Sequence, residues 1–368
     1  MRFKLLFSFV LLFNVLHLVA QERGSYWDVD YGFGSILKHK KIIGHLVTEH
    51  PEVYSVSWFN TAPKESWKKR YNYPDWGLTL IHQRFINPVL GSVTALNYSN
   101  NFYLLNRNNK NQFNLGMGLG FGYASNPLDF ETNNQNVAIS SDITFSVHLK
   151  LHYNYPNLYK NIGFHSGLMF THFSNSSFKN PNFGINSVFV NAGLSYQSKW
   201  LEGRAYPPKE KATISKQNYL FFLNLDASVH EVKAGLGTRP ILNFRAYVSK
   251  QFTPKTGAKL SLDYFHSWAY KNLSYFLHNV NTEYINRPLI DFRQFGVSAG
   301  HELYFDKWIF DTNIGYYLYN PLKKTPDLYQ ILGFRYKIEN TKFRIGFMIK
   351  VHRFRADYTS LGLHYQIF

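Results

Sequence analysis

The sequence predicts an all-β protein, an antiparallel transmembrane β-barrel of about 14–16 strands. Three observations predict it. Apolar and polar residues alternate over stretches of about ten residues, the length and period of a membrane-crossing strand. Aromatic residues make up 18% of the 368-residue chain, with Tyr 27 and Phe 33 against Met 4, and aromatic side chains suit a pleated, half-buried surface. Beyond the N-terminal stretch, no run reaches the roughly 18 consecutive apolar residues that a spanning helix needs.

The alternation is clearest from Asp142 to Tyr153. Ile143, Phe145, Val147, Leu149, Leu151 and Tyr153 share one face; Thr144, Ser146, His148, Lys150 and His152 share the other. A face that carries charge opposite a wholly apolar one fits a barrel with lipid outside and a polar lumen. From Phe113 to Tyr123, six apolar residues oppose Gly116, Gly118, Gly120 and Gly122, which predicts close approach or sharp curvature on the inner side. That glycine row is a poor phosphate loop, since no helix pattern and no Lys-Ser/Thr pair follows it.

Sixteen strands are expected, at 26–35, 51–60, 75–85, 91–106, 112–124, 138–153, 160–174, 186–198, 217–230, 239–252, 257–269, 291–304, 307–319, 327–338, 342–352 and 356–368. An even count returns both ends of the chain to the periplasmic side, makes 253–256, 305–306 and 339–341 short periplasmic turns and places 270–290 outside. Segments 61–74 and 199–216 are long for periplasmic links. The second contains Pro207-Pro208 and a charged run, so two smaller barrels stand as an alternative to one large one.

Residues 1–20 read as a cleaved secretory leader. Arg2 and Lys4 precede an apolar stretch from Leu5 to Val19, and Ala20 precedes Gln21-Glu22. The expected mature chain, 21–368, therefore lies in the outer membrane of a Gram-negative-type bacterium. Cysteine is absent, which excludes disulfides and a lipidated N-terminal Cys. The formal net charge is +17, and loss of the leader leaves 38 basic against 23 acidic side chains. For an exported chain, such charge points to anionic lipid headgroups or phosphorylated glycolipid rather than nucleic acid. The Lys38, Lys40, Lys41 cluster and the stretch from Lys64 to Arg70 are the candidate contacts.

One short region carries a candidate for chemistry: Phe170-Thr-His172-Phe-Ser174-Asn175, then Pro181-Asn182-Phe-Gly184-Ile-Asn186. His172 and Ser174 are two apart on a strand and point the same way, on the apolar face with Phe164, Leu168 and Phe170. Polar groups facing hydrocarbon are costly, except near the strand's outer end. A hydrolase of a lipid needs such placement, because its nucleophile must meet an ester at the headgroup boundary. Serine is a weak nucleophile until a base takes its proton, and histidine titrates in the right range. Of the 15 His residues, only His172 is followed two positions later by Ser. A hairpin centred near Lys179 would set Asn186 beside His172, where its carbonyl oxygen could orient the imidazole.

At these residues the chain resembles the lipid A 3-O-deacylase (PagL) family of outer-membrane barrels. His172, Ser174, Asn175, Pro181, Asn182 and Gly184 match that family's His-x-Ser-Asn and Pro-Asn-x-Gly signature, and the Trp67, Tyr71, Tyr73-Pro74, Gly77 stretch is similar as well. The resemblance spans about residues 26–200 in outline and is strongest over 170–186. It implies an eight-stranded enzyme barrel that needs no cofactor or metal. It further implies that Ser174 is the nucleophile, His172 the base and Asn182 an oxyanion donor, with Asn175 and Gly184 in the same binding loop. The implied reaction is 3-O-deacylation of lipid A, part of lipopolysaccharide. The sequence departs from the family at the acid, where Asn186 stands in place of the expected Glu. Losing the acid of a serine triad can cost on the order of 10⁴ in rate. The alternative is a non-enzymatic porin or structural barrel with a degenerate site; an adhesin with long external loops is a third reading. Residues 217–368 lie beyond the resemblance and are expected to add strands to the same barrel.

Two further constellations are set aside. His266-Ser267, near Asp263 and Trp268, lacks same-face spacing and reads as interface structure. His148 and His152 share a lumen face but stand roughly 13 Å apart on one strand, too far for one ion.

Overall fold

A computed structural model describes residues 24–61, 66–197, 205–209, 213–214, 218–280, 282–286, 288–323, 326–353 and 355–368. The expected leader, 1–20, lies outside the described residues, as does Lys64 at the start of one basic stretch.

Eight antiparallel strands close the first barrel: β1 (Ser25–Ile36), β2 (Glu52–Asn60), β3 (Asp75–Arg84), β4 (Ser92–Tyr103), β5 (Gln112–Ala124), β6 (Ile143–Tyr159), β7 (Ile162–Ser174) and β8 (Ile185–Gln197). Eight more close the second: β9 (Leu220–His230), β10 (Arg239–Gln251), β11 (Thr256–Ser267), β12 (Gln294–Phe305), β13 (Trp308–Tyr319), β14 (Leu328–Lys337), β15 (Phe343–His352) and β16 (Arg355–Gln366). Each expected strand is present, displaced by a few residues at its ends. The expectation of one enlarged barrel is corrected. β8 returns to pair with β1, from Tyr26↔Gln197 to Ile36↔Ser187, and β16 returns to pair with β9, from Leu361↔Ala227 to Gln366↔Phe222. Alternation along a strand is the same in either closure; only the edge pairings decide it. The segment that carries Pro207-Pro208 divides the two barrels.

Outward positions are apolar and exposed in both barrels. Val29, Leu96, Phe121, Leu168 and Val190 face out from the first, and Leu223, Leu260, Ile314 and Leu361 from the second. Closure pairs the first and last strands of each barrel, as a lipid-embedded sheet requires, over Tyr26–Ile36 in the first and over Leu361–Gln366 in the second. The connection between β11 and β12, expected to be an external loop, contains helices Trp268–Val280 and Thr282–Ile285. Ala269, Tyr270, Leu273 and Leu277 form the buried stripe of the longer helix.

The lumen of the first barrel holds a polar network. Asp30 accepts hydrogen bonds from Lys150 (2.7 Å) and Ser55 (2.9 Å), lies 2.7 Å from His165 Nε2, and accepts from Asn191 (3.0 Å). Glycines on β5 make room for lumen side chains: a Cβ at Gly116 would fall 3.3 Å from Lys150 Cβ, and one at Gly118 2.2 Å from the ring of His148. In the second barrel, Arg335 binds Asp311 (2.6 Å) and Glu302, and Lys259 binds Asp311 at 3.1 Å. Phe265, Tyr317, Tyr329, Ile331 and Met348 pack as an apolar layer inside the same barrel. These side chains are buried against one another, the packing of a filled barrel rather than of a water-filled pore.

An apolar cluster caps the first barrel at the end where β7 runs into β8. It joins Ile43 and Leu46 from the β1–β2 connection, Ala138 and Ile139 from the β5–β6 connection, and Phe173 and Ile185 from the strands themselves. Phe173→Ala should destabilise this barrel by about 3–5 kcal/mol, the cost of removing a buried aromatic. The heat-modifiable shift in gel mobility of the folded protein would then occur at a lower temperature. An unchanged transition would show that the cap does not hold the barrel.

Candidate active site

Strands β7 and β8 place the signature residues. Their register pairs Phe173 with Ile185 and His172 with Asn186, so the hairpin is centred on Lys179 as the sequence predicts. Phe173 and Ile185 point inward and are fully buried in the cap. Pleating therefore turns His172 and Asn186 outward, on the row that continues through Phe170 and Leu168 on β7 and Val188 and Val190 on β8. The packed inner neighbours lock the strand ends, and the outer pair inherits that rigidity.

His172 Nδ1 lies 2.5 Å from Asn186 Oδ1. An amide oxygen only accepts, so Nδ1 carries the proton and Nε2 keeps its lone pair. Ser174 is the last residue of β7, two positions beyond His172, and is largely buried. Gly184 approaches both from the returning strand. A Cβ there would fall 3.1 Å from His172 Cε1 and 3.3 Å from Ser174 Cβ, and the residue has φ +71°. The N–H of Gly184 donates to Ala138 O at 2.9 Å. That N–H is committed, so Gly184 supplies space beside the pair rather than an oxyanion donor. Gly184→Ala would combine left-handed backbone strain of about 1 kcal/mol with a methyl between the two side chains. If His172 and Ser174 carry the hydrolysis that the sequence resemblance implies, turnover should fall at least about tenfold while the barrel still folds, because a small misplacement of reacting groups is expensive. Wild-type turnover in a folded Gly184→Ala protein would rule out this close approach.

Residues 175–182, which carry Asn175 and Asn182, form one compact unit with 211–368. Within it, Asn175 N–H donates to Asn182 Oδ1 (3.3 Å), and the Asn175 side-chain amide donates to Lys179 O (3.0 Å). The first bond uses the Asn182 Oδ1 as acceptor. Asn180 N–H donates to Glu231 Oε2 at 2.6 Å, and the Asn180 side-chain amide donates to the Glu231 carbonyl. No acid stands beside Asn186 on β7 or β8, as the sequence between Leu158 and Lys199 requires.

The β1–β2 connection meets this site. Leu37 N–H donates to Asn186 O at 2.8 Å, and His39 Nε2 lies 3.0 Å from Phe183 O. Lys40 Nζ sits 4.9 Å from the centre of the Phe183 ring. Sequence reasoning named these lysines without linking them to Asn186, because the link spans almost the whole first barrel. The other basic stretch differs. Lys68 is buried, and its connection, β2–β3, leaves the barrel at the end opposite to the β7–β8 hairpin.

The two constellations set aside have structural places. Ser267 Oγ accepts the N–H of Tyr270 (3.2 Å) and so caps the helix that follows. His152 meets His165 of the neighbouring strand, rings stacked at 4.9 Å, rather than His148. With Asp30 they offer ligand atoms within 4.8 Å of one another. Lys150 already neutralises Asp30, and Asn191 occupies His152 Nε2 at 2.7 Å. This donor set is an ion-pair network, and a dication would have to displace the ammonium.

Strands with apolar outer rows, closed twice into antiparallel barrels of eight, define an outer-membrane β-barrel protein. The particular family follows from comparison with known proteins. The family model described as "Lipid A 3-O-deacylase (PagL)" matches residues 52–195, and "Acyloxyacyl hydrolase, C-terminal domain" matches residues 217–368. Together the two models cover most of the chain, one over each barrel. Among solved structures it is similar to the outer membrane enzyme PagL, with 17% identity, TM-score 0.33, 45% of this chain and 97% of that one. It is also similar to Neisserial surface protein A, with 13% identity, TM-score 0.32, 47% of this chain and 96% of that one. No curated protein matches.

Proposed function

We propose that the protein removes an acyl chain from lipid A by 3-O-deacylation, with Ser174 as nucleophile and His172 as base on the outer wall of the first barrel. The observation that carries this reading is the 2.5 Å bond between His172 and Asn186 on the lipid-facing row, two residues before Ser174. Nε2 of His172 takes the proton of Ser174 Oγ as the oxygen attacks the ester carbonyl. The carbonyl oxygen becomes an oxyanion, whose donor, on the resemblance to the family, is the Asn182 amide. Collapse of the tetrahedral intermediate breaks the bond to the sugar oxygen, which leaves with the proton held by His172. Water then attacks the acyl-serine, with His172 again as base, and releases the fatty acid. Asn186 keeps the Nδ1 proton in place but adds no negative charge, so it orients the imidazole without the electrostatic support of a carboxylate. None of these steps requires a metal.

The test is the lipid A mass spectrum of cells that express the wild type or Ser174→Ala. Wild type should remove one hydroxyacyl mass from lipid A, and Ser174→Ala should leave it intact. Identical acylation in both strains would reject the proposal.

A further inference from the structure

We infer that the Lys38–Lys41 segment is the phosphate-recognition element of this site, so that the enzyme selects phosphorylated glycolipid over the same glycolipid without phosphate. The inference rests on the deacylase reading and names the feature of the substrate that the site reads.

Placement comes first. The segment begins one residue after Leu37, whose N–H is bonded to Asn186 O, and His39 and Lys40 hold it against Phe183, the residue before Gly184. It is thus tied on both sides to the strand that returns beside His172 and Ser174. Its far end is anchored as well. The 3-10 turn Lys41–Leu46 buries Ile43 and Leu46 in the apolar cap, and Asn87 donates to Leu46 O (3.2 Å) and Thr48 Oγ1 (2.9 Å). His45 Nε2 lies 2.8 Å from Gln135 O. A loop fixed at so many points presents its charges in a defined place rather than as a mobile tail.

Charge comes second. Lys38 and Lys41 are exposed, and among the described residues no carboxylate pairs with either. The stem of Lys38 lies across Gly44, where a Cβ would fall 2.7 Å from Lys38 Cε, so the absence of a side chain at Gly44 seats this lysine along the turn. Two unneutralised ammonium groups in the connection at the β7–β8 end of the barrel, the end that carries His172 and Ser174, suit an anionic group on the sugar. Phosphate is the match, because ammonium groups bind it as point charges without a fixed fork geometry. The β2–β3 basic stretch offers no competing site, since it lies at the other end of the barrel.

The experiment uses the full-length protein in mixed micelles with three variants, Lys38→Ala/Lys41→Ala, Lys38→Arg/Lys41→Arg and Ser174→Ala. The substrates are bisphosphorylated lipid A and the same lipid A after enzymatic removal of its phosphates. The double alanine variant should raise the apparent KM for the phosphorylated substrate by about ten- to a hundredfold with kcat unchanged, and the double arginine variant should restore it. On the dephosphorylated substrate, wild type and double alanine variant should have the same KM. Added anionic phospholipid should compete weakly. Equal losses on both substrates, no loss on either, or full competition by anionic phospholipid would overturn the inference; the last would make the segment a general anionic-surface contact. Binding of bisphosphorylated lipid A to the Ser174→Ala protein, with and without the lysine substitutions, separates this question from catalysis. If Ser174→Ala remained active, the deacylase mechanism would fall, whereas loss of the lysine effect on binding would sink the phosphate assignment alone.

Discussion

Ser174→Ala and His172→Ala should each lower kcat for lipid A deacylation by on the order of 10⁴–10⁶, and the double variant should be no slower than the worse of the two. In the proposed mechanism the two groups act as one device. Without the base, Ser174 keeps its proton and is a poor nucleophile; without the hydroxyl, the base has nothing to activate. Both variants should fold, because each side chain lies on the outward row while the cap is built from Phe173 and Ile185. Release of free fatty acid from lipid A in mixed micelles is the measurement. Additive losses in the double variant would mean that the residues act independently, and the paired mechanism would then be wrong.

Asn186 should give the second largest effect, and in both directions. Asn186→Ala removes the acceptor that holds Nδ1–H of His172 and should lower kcat by about 10²–10³, since the imidazole is then free to adopt the unproductive tautomer. Asn186→Glu retains an acceptor at the same register position and adds a negative charge that, in the proposed mechanism, stabilises the imidazolium formed as Ser174 attacks. It should raise kcat above wild type, by about tenfold or more, with little change in KM, because the added interaction is strongest in the transition state. Wild-type kcat in Asn186→Ala would show that the hydrogen bond is not used in turnover. A slower Asn186→Glu protein would show that the outward site does not tolerate a carboxylate.

The strands were legible because a membrane barrel repeats one rule, apolar out and polar in, at every residue. Even the pairing of His172 with Asn186 followed from that rule, once a hairpin about Lys179 was assumed. Closure was not legible, because β8 pairs with β1 across a separation that runs from Ile36↔Ser187 to Tyr26↔Gln197, and alternation is blind to partner. The helix over Trp268–Val280 had a readable signal in the spacing of Ala269, Leu273 and Leu277, but the barrel pattern on either side favoured a loop. The local geometry of the candidate site was legible, in the outward turn of His172 and its pairing with Asn186. It was not where it depends on distant segments: the carbonyl of Ala138 that takes the Gly184 N–H, and Leu37, which draws the lysine segment to Asn186. The lumen network was missed for the same reason, since His152 meets a histidine on the next strand rather than the one four positions away.

The outward row of β7 has a kinetic corollary. A site on the barrel wall is reached by diffusion within the bilayer plane, so the concentration that governs it is the mole fraction of substrate in the leaflet, not moles per litre of bulk solution. Diluting substrate with inert lipid should slow the protein even when the total amount of substrate is constant, whereas adding buffer should not. On the proposed reaction the released fatty acid starts in the same layer, and the local composition of that leaflet then becomes both supply and sink.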